Sequence, residues 1–498
     1  VLNALLRRFN GQRQLTEPAD PWSLSNRLFS FNKYDHLTVG RAVEGILIMG
    51  ATGAGKSSAS GRKIALSYLK AGWGGLVLCA KGDEARVWER YCREAGRSDD
   101  LIIFSPDQPW RFNFLDFELQ RKGRGAGLSE NLIKLLSTVA EITKRDTGKG
   151  GGQEDGQYWE DSKNQLLRNL TDLIILAKGR ITVSDLYEVL SSAPKSVAQT
   201  RSAEWQRESY CYQCLREAYH RPKTASQEQD FRNIDRYWCG SFPELAEKTR
   251  GIVASTFTAM TDVMNRGIFR ELFCGETNIS PQAMEDGKII VVDLPVAEFG
   301  EIGRYAAGTW KYCSQMSLGR RAMEGSPRPV FVWQDEAQYF VLATDMMFQS
   351  VCRGYKVSNV VLTQNISNFY ATMGGKSSEA LVDSLFGNLN TKIFHANGDH
   401  VTNKWMAEQI GRSRQLLANS STSQSPMDSV SSSLGIGPWQ TSAGVSEVFE
   451  FEVQPSAATS LRTGGPANNW LVDVIVFSSG SCFHTTDRPY AFCTFSQK

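Results

Sequence analysis

The chain has 498 residues, 41% of them hydrophobic and 22% charged, values that suit folding in water and exclude collagen-like, wholly disordered and multi-span membrane classes. Fifty-five Lys and Arg against 53 Asp and Glu leave a net charge of +2, so a polyanion must be gripped by a local basic surface and not by the field of the whole molecule. Ten Cys are too few for a disulfide framework and point to a reducing cytoplasm. At roughly 150 residues per domain the length predicts about three domain-sized units. No apolar run reaches the roughly 18 residues that span a bilayer, and no signal peptide opens the chain, which predicts a soluble protein as the sequence stands. Val1 in place of Met suggests sequence lost upstream. Leu5, Leu6, Arg7 and Arg8, with Arg13, read either as the basic flank of a membrane anchor or as an ordinary solvated helix end.

From Gly45 onward, short apolar strands alternate with amphipathic helices, the rhythm of a parallel sheet covered on both faces. Residues 46–49 read as a strand, then a glycine-rich turn, then a helix over 56–69. Strands at 76–79 and 101–104 flank a helix at 85–95. Beyond about residue 120 the period becomes helical, from Leu128 to Asn265, with an apolar stripe of Trp159, Leu166, Leu167, Leu170, Leu173 and Ile174. Residues 149–157 are glycine-rich and predict a flexible loop. Strands resume at 289–292, 330–333, 360–362 and 391–394. Residues 418–437, rich in Ser, Asn, Gln and Gly, predict a mobile loop with too little apolar surface to offset ordering. Alternation at 448–453 and the apolar run at 470–477 predict that the α/β domain ends in strands. The expected organisation is therefore one α/β domain in two parts, 1–124 and 266–498, with an all-helical domain inserted at 125–265.

The strongest chemical signal is Gly50, Ala51, Thr52, Gly53, Ala54, Gly55, Lys56 and Ser57, a complete G-x-x-x-x-G-K-S between a strand and a helix. Backbone N–H groups of such a loop, extended here through Ser58, close around phosphates. Lys56 neutralises the β and γ oxygens, and Ser57 ligates Mg²⁺. Hydrolysis also requires carboxylates at a neighbouring strand end. Asp335 and Glu336 follow the strand at 330–333, Asp335 to hold Mg²⁺ and Glu336 to polarise water; an acidic pair there is otherwise only a helix cap. Asp293, after the strand at 289–292, ranks second. Downstream, Gln364 ends a strand and is suited to sensing the γ-phosphate, and Arg353 is suited to reach a neighbouring subunit's site as an arginine finger. Spacing alone serves a surface Arg and a turn-capping Gln equally well.

With these residues in place, the chain resembles the coupling ATPases of type IV secretion systems, the TraG/TraD-like group of the FtsK/HerA superfamily. Besides the phosphate loop, the likeness rests on Lys81, Gly82, Asp83 and Glu84; on Phe112, Asn113, Phe114, Leu115 and Asp116; on Asp335, Glu336 and Ala337; on Arg353 through Val357 leading to Thr363 and Gln364; on Asn390 through Ile393; and on Leu461, Arg462, Thr463, Gly464 and Gly465. The resemblance implies an α/β RecA-like P-loop motor with an inserted all-α domain, ATP and Mg²⁺ as ligands, and a homo-hexameric ring. By the same likeness Arg353 is the finger acting in trans and Gln364 the γ-phosphate sensor. It further implies single-stranded DNA and relaxase or relaxosome proteins as partners, and channel ATPases and inner-membrane components at the cytoplasmic face of a bacterial inner membrane. The alternatives are a soluble FtsK/HerA-type DNA translocase unconnected to secretion, or a coupling platform for protein effectors. Departures include Cys79 and Ala80 where Asp is common before Lys-Gly, Phe114 where Pro is usual, the polar Gln334 before Asp335, and the lack of the family's N-terminal transmembrane hairpin.

Weaker constellations complete the reading. Cys211 and Cys214, with His220 and Cys239, could build a zinc site, but the second half of the motif is missing and helical spacing alone puts the first pair on one face, which argues against zinc. His395 and His400 read as structural or solvent-facing. Arg232, Arg236, Tyr237, Trp238, Lys248 and Arg250 are candidates for DNA contact, with solvated mixed-charge helices as the default.

Overall fold

The computed structural model describes residues 20–123, 125–142, 153–373, 378–423 and 440–498. Its strands, in chain order, are β1 (Arg27–Ser30), β2 (His36–Thr38), β3 (Ile46–Met49), β4 (Gly74–Leu78), β5 (Leu101–Phe104), β6 (Ile289–Val292), β7 (Val330–Gln334), β8 (Val357–Thr363), β9 (Thr391–Phe394), β10 (Arg412–Ser423), β11 (Gln440–Phe451), β12 (Leu471–Ser478) and β13 (Tyr490–Ser496). Nine of them form one sheet in the order β13-β12-β9-β3-β8-β7-β4-β6-β5. From β9 to β5 every pair is parallel, whereas β12 and β13 join antiparallel. The central strands are apolar without interruption, as ILIM in β3 and IIVV in β6. Strands buried on both faces need such runs, because helices cover both sides.

Side chains alternate between two cores. Val77 joins the cluster that includes Ile64 and Leu69 of α1 (Arg62–Lys70) and Trp88 of α2 (Glu84–Glu94). Leu76 and Leu78 point the other way. Between β5 and β6 the described chain forms only helices, from α3 (Phe114–Leu119) through α4 (Ser129–Glu141), α5 (Gln153–Lys178), α6 (Val183–Ser191), α7 (Tyr210–His220), α8 (Ala225–Arg236) and α9 (Glu247–Thr261) to α10 (Gly267–Phe273). The first and last of these lie outside the expected limits 125–265. The helices also share one buried cluster with that sheet face: Leu170 and Leu186 belong with Leu76, Phe104 and Trp310 of α11 (Val296–Leu318). The helical unit is therefore packed onto the sheet through a common core.

Three expectations are corrected. Residues 153–157 are the first turns of α5, not loop, while 149–152 lie outside the described residues. Residues 418–423 belong to β10, which pairs with β11 in twelve-residue register, so the loop expected at 418–437 begins later; 424–437 lie outside the described residues. Cross-strand backbone hydrogen bonds, which need no apolar side chains, order this polar stretch. Residues 448–451 accordingly belong to a separate hairpin and not to the central sheet. The N-terminal stretch with Leu5 to Arg8 and Arg13, and the structure around Trp159's side chain, also fall outside what is described. Among the described residues no helix is long and apolar enough to cross a membrane.

Candidate nucleotide site

The strand order puts β3 between β9 and β8, with β7 next beyond β8, so loops after β3, β7 and β8 converge at one edge, where ligands bind in open parallel sheets. The phosphate loop needs glycine for two separate reasons. A Cβ on Gly50 would lie 2.5 Å from His395 Cβ, and Gly55 has φ +87 with Val472 against it. After it, residues Lys56–Gly61 form a wide π-type turn that continues into α1. The loop lines a cleft of about 360 Å³ together with Ser58, Lys81, Asp335, Glu336 and Gln497.

Within the cleft, Ser57 Oγ donates to Asp335 Oδ2 at 2.7 Å. A hydroxyl and a carboxylate in contact are the pair expected to share a Mg²⁺ ion. Lys56 Nζ is folded back, donating to the carbonyls of Gly50 at 2.6 Å and Ala51 at 3.2 Å. Burial lowers its pKa, partly offset by Asp335 and Glu336. Glu336 stands at φ +49, a conformation uncommon outside glycine, which turns it from the strand into the cleft. It accepts from Lys81 Nζ at 2.9 Å, Gln364 Nε2 at 3.1 Å and Gln338 Nε2 at 3.1 Å. Burial pulls its pKa up, but these donors outweigh burial and hold it below the ordinary value, so it is a carboxylate at neutral pH. Nearby Glu84 behaves oppositely: burial first, and then Asp335, push it up to about 9, so this carboxyl stays protonated.

The predicted phosphate-loop residues from Ala51 to Ser58, with Asp335 and Glu336, thus line one cleft, Gly50 stands behind it with its carbonyl on Lys56, and Gln364 reaches it through Glu336. Arg353 does not line its own chain's cleft. It follows helix α12 (Asp345–Val351), is 64% exposed, and lies 3.4 Å from Glu44 Oε1. Asp293 ends β6, separated from β7 by β4, and does not line the cleft. Sequence reasoning missed Gln338, Gln497 and the role of His395. That imidazole is fully buried; its Nδ1 bonds the Ala54 carbonyl at 2.9 Å and its Nε2 the Ser60 hydroxyl at 2.7 Å. A ring N–H donating to Ala54 leaves Nε2 to accept from Ser60, so a neutral His395 braces the phosphate loop from beneath. His400 is exposed.

One further expectation changes in part. Tyr237 and Trp238 are buried among helical side chains and unavailable for base stacking, and Arg250 is committed to the carbonyls of Pro243 and Leu245; Arg232, Arg236 and Lys248 are exposed. Cys211 and Cys214 are buried in α7, and among the described residues no three His, Cys, Asp or Glu side chains are grouped to hold a metal.

Fold and cleft together define a RecA-like P-loop nucleotide-binding protein with an attached all-α unit. Residues 329–438 match the family described as the TraM recognition site of TraD and TraG. The fold of nearly the whole chain matches the bacterial conjugative coupling protein TrwB. Its unbound form gives a TM-score of 0.57 at 14% identity over 96% of this chain and 90% of that one. Its complex with the non-hydrolysable GTP analogue GDPNP gives 0.58 at 15% identity over 97% and 90%, and its complex with ADP and Mg²⁺ gives 0.55 at 15% identity over 93% and 87%. No curated protein matches by sequence. The chain has the fold of that conjugative coupling protein, and the family match is confined to residues 329–438.

Proposed function

We propose that this protein is an ATP-hydrolysing motor that delivers a relaxase-bound DNA substrate to a type IV secretion channel. The observation that carries the catalytic part is the contact of Ser57 with Asp335 at 2.7 Å beside a Glu336 held ionised by three donors. That donor set fits Mg²⁺, with Ser57 and Asp335 as the residues that would hold it; TrwB, solved in complex with ADP and Mg²⁺, supports a Mg²⁺-nucleotide as the ligand here. When bound, the ion would neutralise charge on the phosphates. Lys56, turned onto carbonyls that a phosphate would outcompete, would bind the β and γ oxygens. Glu336 would take the proton of the attacking water as the new O–P bond forms and the bridging O–P bond breaks, the electron pair leaving on ADP.

Arg353, exposed and outside its own cleft, suits an arginine finger for an adjoining subunit, and Gln364, through Glu336, suits a sensor of the γ-phosphate. A finger acting in trans requires an assembly of copies, which we take to be a homo-hexamer. The segment matching the TraM recognition site supports a relaxosome partner. By the same reasoning the helical unit at about 125–265 serves substrate recognition, and the working site is the cytoplasmic face of an inner membrane beside the channel ATPases. Steady-state ATPase activity across protein concentration, with and without single-stranded DNA, tests the proposal. DNA stimulation that rises with concentration is expected, and Lys56→Ala should abolish turnover; near-normal turnover in that variant would remove the site assignment.

A further inference from the structure

The segment Leu461 to Gly465 plays no part in phosphate chemistry, yet the fold ties it to the cleft wall through Gln497. Gln497, just beyond β13, lines the cleft, and its Nε2 donates to Ser58 Oγ at 2.8 Å. Its Oε1 accepts from Gly465 N at 2.8 Å, and its backbone N–H donates to the Trp470 carbonyl at 2.9 Å. Gly464 admits no side chain: φ is +86, and a Cβ would lie 2.3 Å from Gln497 Oε1. The turn is clamped at its base, where Arg462 makes bonds of 2.5 and 2.7 Å to Asp473, which also accepts from Thr494 Oγ1 at 2.7 Å. Asn469 and Trp470 both adopt positive φ, +54 and +62. Backbone strain of this kind is kept only where the surroundings over-determine it, often at binding sites. Trp470 is 37% exposed.

These contacts bear on how a nucleotide lies. The γ-phosphate end is assigned to Lys81, Asp335 and Glu336, because water must be activated there. Ser58 turns its hydroxyl away from those groups, to Gln497. We infer that Gln497 and the turn 464–470, with Trp470, form the nucleoside end of the site and receive the sugar and base of a nucleoside triphosphate. Beyond its bonds to Ser58 and Gly465, the Gln497 amide retains one donor and one acceptor, and the indole, with Lys498 Nζ 5.5 Å from its ring centroid, supplies its other face for stacking. This rests on the nucleotide reading of the cleft.

The test compares binding of Mg²⁺-ATP with Mg²⁺-tripolyphosphate, which has the phosphates and no nucleoside, by calorimetry on the full chain. Wild type should bind ATP more tightly than tripolyphosphate. Gln497→Ala should cut that preference about tenfold by removing two hydrogen bonds to the nucleoside, weakening ATP by more than it weakens tripolyphosphate. Trp470→Gly removes the ring while relieving its positive φ, and should act in the same direction without unfolding the turn. Unchanged preference in both variants, equal weakening for both ligands, or a wild type that gains nothing from the nucleoside would overturn the inference. A wild type that binds neither ligand would instead overturn the nucleotide reading, and the inference with it.

Discussion

Helix α12 begins with Asp345 and leads to Arg353, and its anchorage gives a prediction with a calculable size. Lys311, in α11, donates to Asp345 Oδ2 at 2.6 Å and to the Phe340 carbonyl at 2.9 Å; Gln315 Nε2 and Leu342 N–H donate to the same carboxylate at 2.7 and 2.8 Å. Both ion-pair side chains are almost fully buried, at 2% and 6% exposure. Asp345→Ala takes the carboxylate away from a buried ammonium and from two other donors. Removing one member of a buried pair costs about 3–5 kcal/mol, equivalent to a fall on the order of 10 °C in midpoint for a domain of this size. The double substitution Lys311→Met with Asp345→Leu should recover most of that loss, since apolar replacement of both partners is often neutral. Scanning calorimetry at one scan rate on wild type, single and double variants measures it. A single variant within about 1 kcal/mol of wild type, or a double variant no better than the single, would refute the claim that a desolvated ion pair holds α12.

Glu336→Gln should lower kcat by about 10²–10⁴-fold, the range for loss of a general base, while calorimetry still detects ATP binding. Arg353→Ala and Lys56→Ala, each inactive alone, should recover part of the ATPase activity when mixed, because a mixed ring pairs an intact cleft with an intact finger; no recovery at any ratio would count against action in trans. His395 titrates at about 3, held down first by burial and further by Lys56, against an ordinary 6.5. Between those values the unfolded chain takes up a proton that the folded one refuses. Stability is therefore full above about pH 6.5 and falls toward pH 3 by up to about 1.4 kcal/mol per pH unit. From pH 7.5 to 5, wild type should lose about 2 kcal/mol more than His395→Gln in urea titrations, and parallel losses would show that His395 protonates freely in the folded chain.

What the sequence revealed follows from physics that acts locally. Apolar runs with a glycine or proline close before them made β3, β4, β6 and β7 legible, and the phosphate loop with Asp335 and Glu336 sits at the far ends of such runs. Residues 418–423 misled because a hairpin is held by backbone pairing, and their polar side chains gave no sign of it. Tyr237 and Trp238 misled because neighbouring Arg side chains suggested a surface, while helical phase turned both rings inward. Gln497 and His395 act on the phosphate loop from 439 and 335 residues away from Ser58 and Ser60. No local pattern encodes such contacts; only the order of strands β9, β12 and β13 beside β3 creates them.

The β10–β11 hairpin has mechanical consequences. Twelve paired residues at about 3.4 Å each make an arm about 40 Å long, rooted where α13 (His400–Ile410) ends at Gly411, with φ +103. An arm of that length converts a turn of about 10° at its root into a displacement of about 7 Å at the paired ends Ser423 and Gln440. Its root follows α13, which itself follows β9 and, directly after that strand, His395 beneath the phosphate loop. A small rotation at that root would therefore be amplified along the whole length of the arm, so the paired ends are the part of the described chain most sensitive to how this helix is seated.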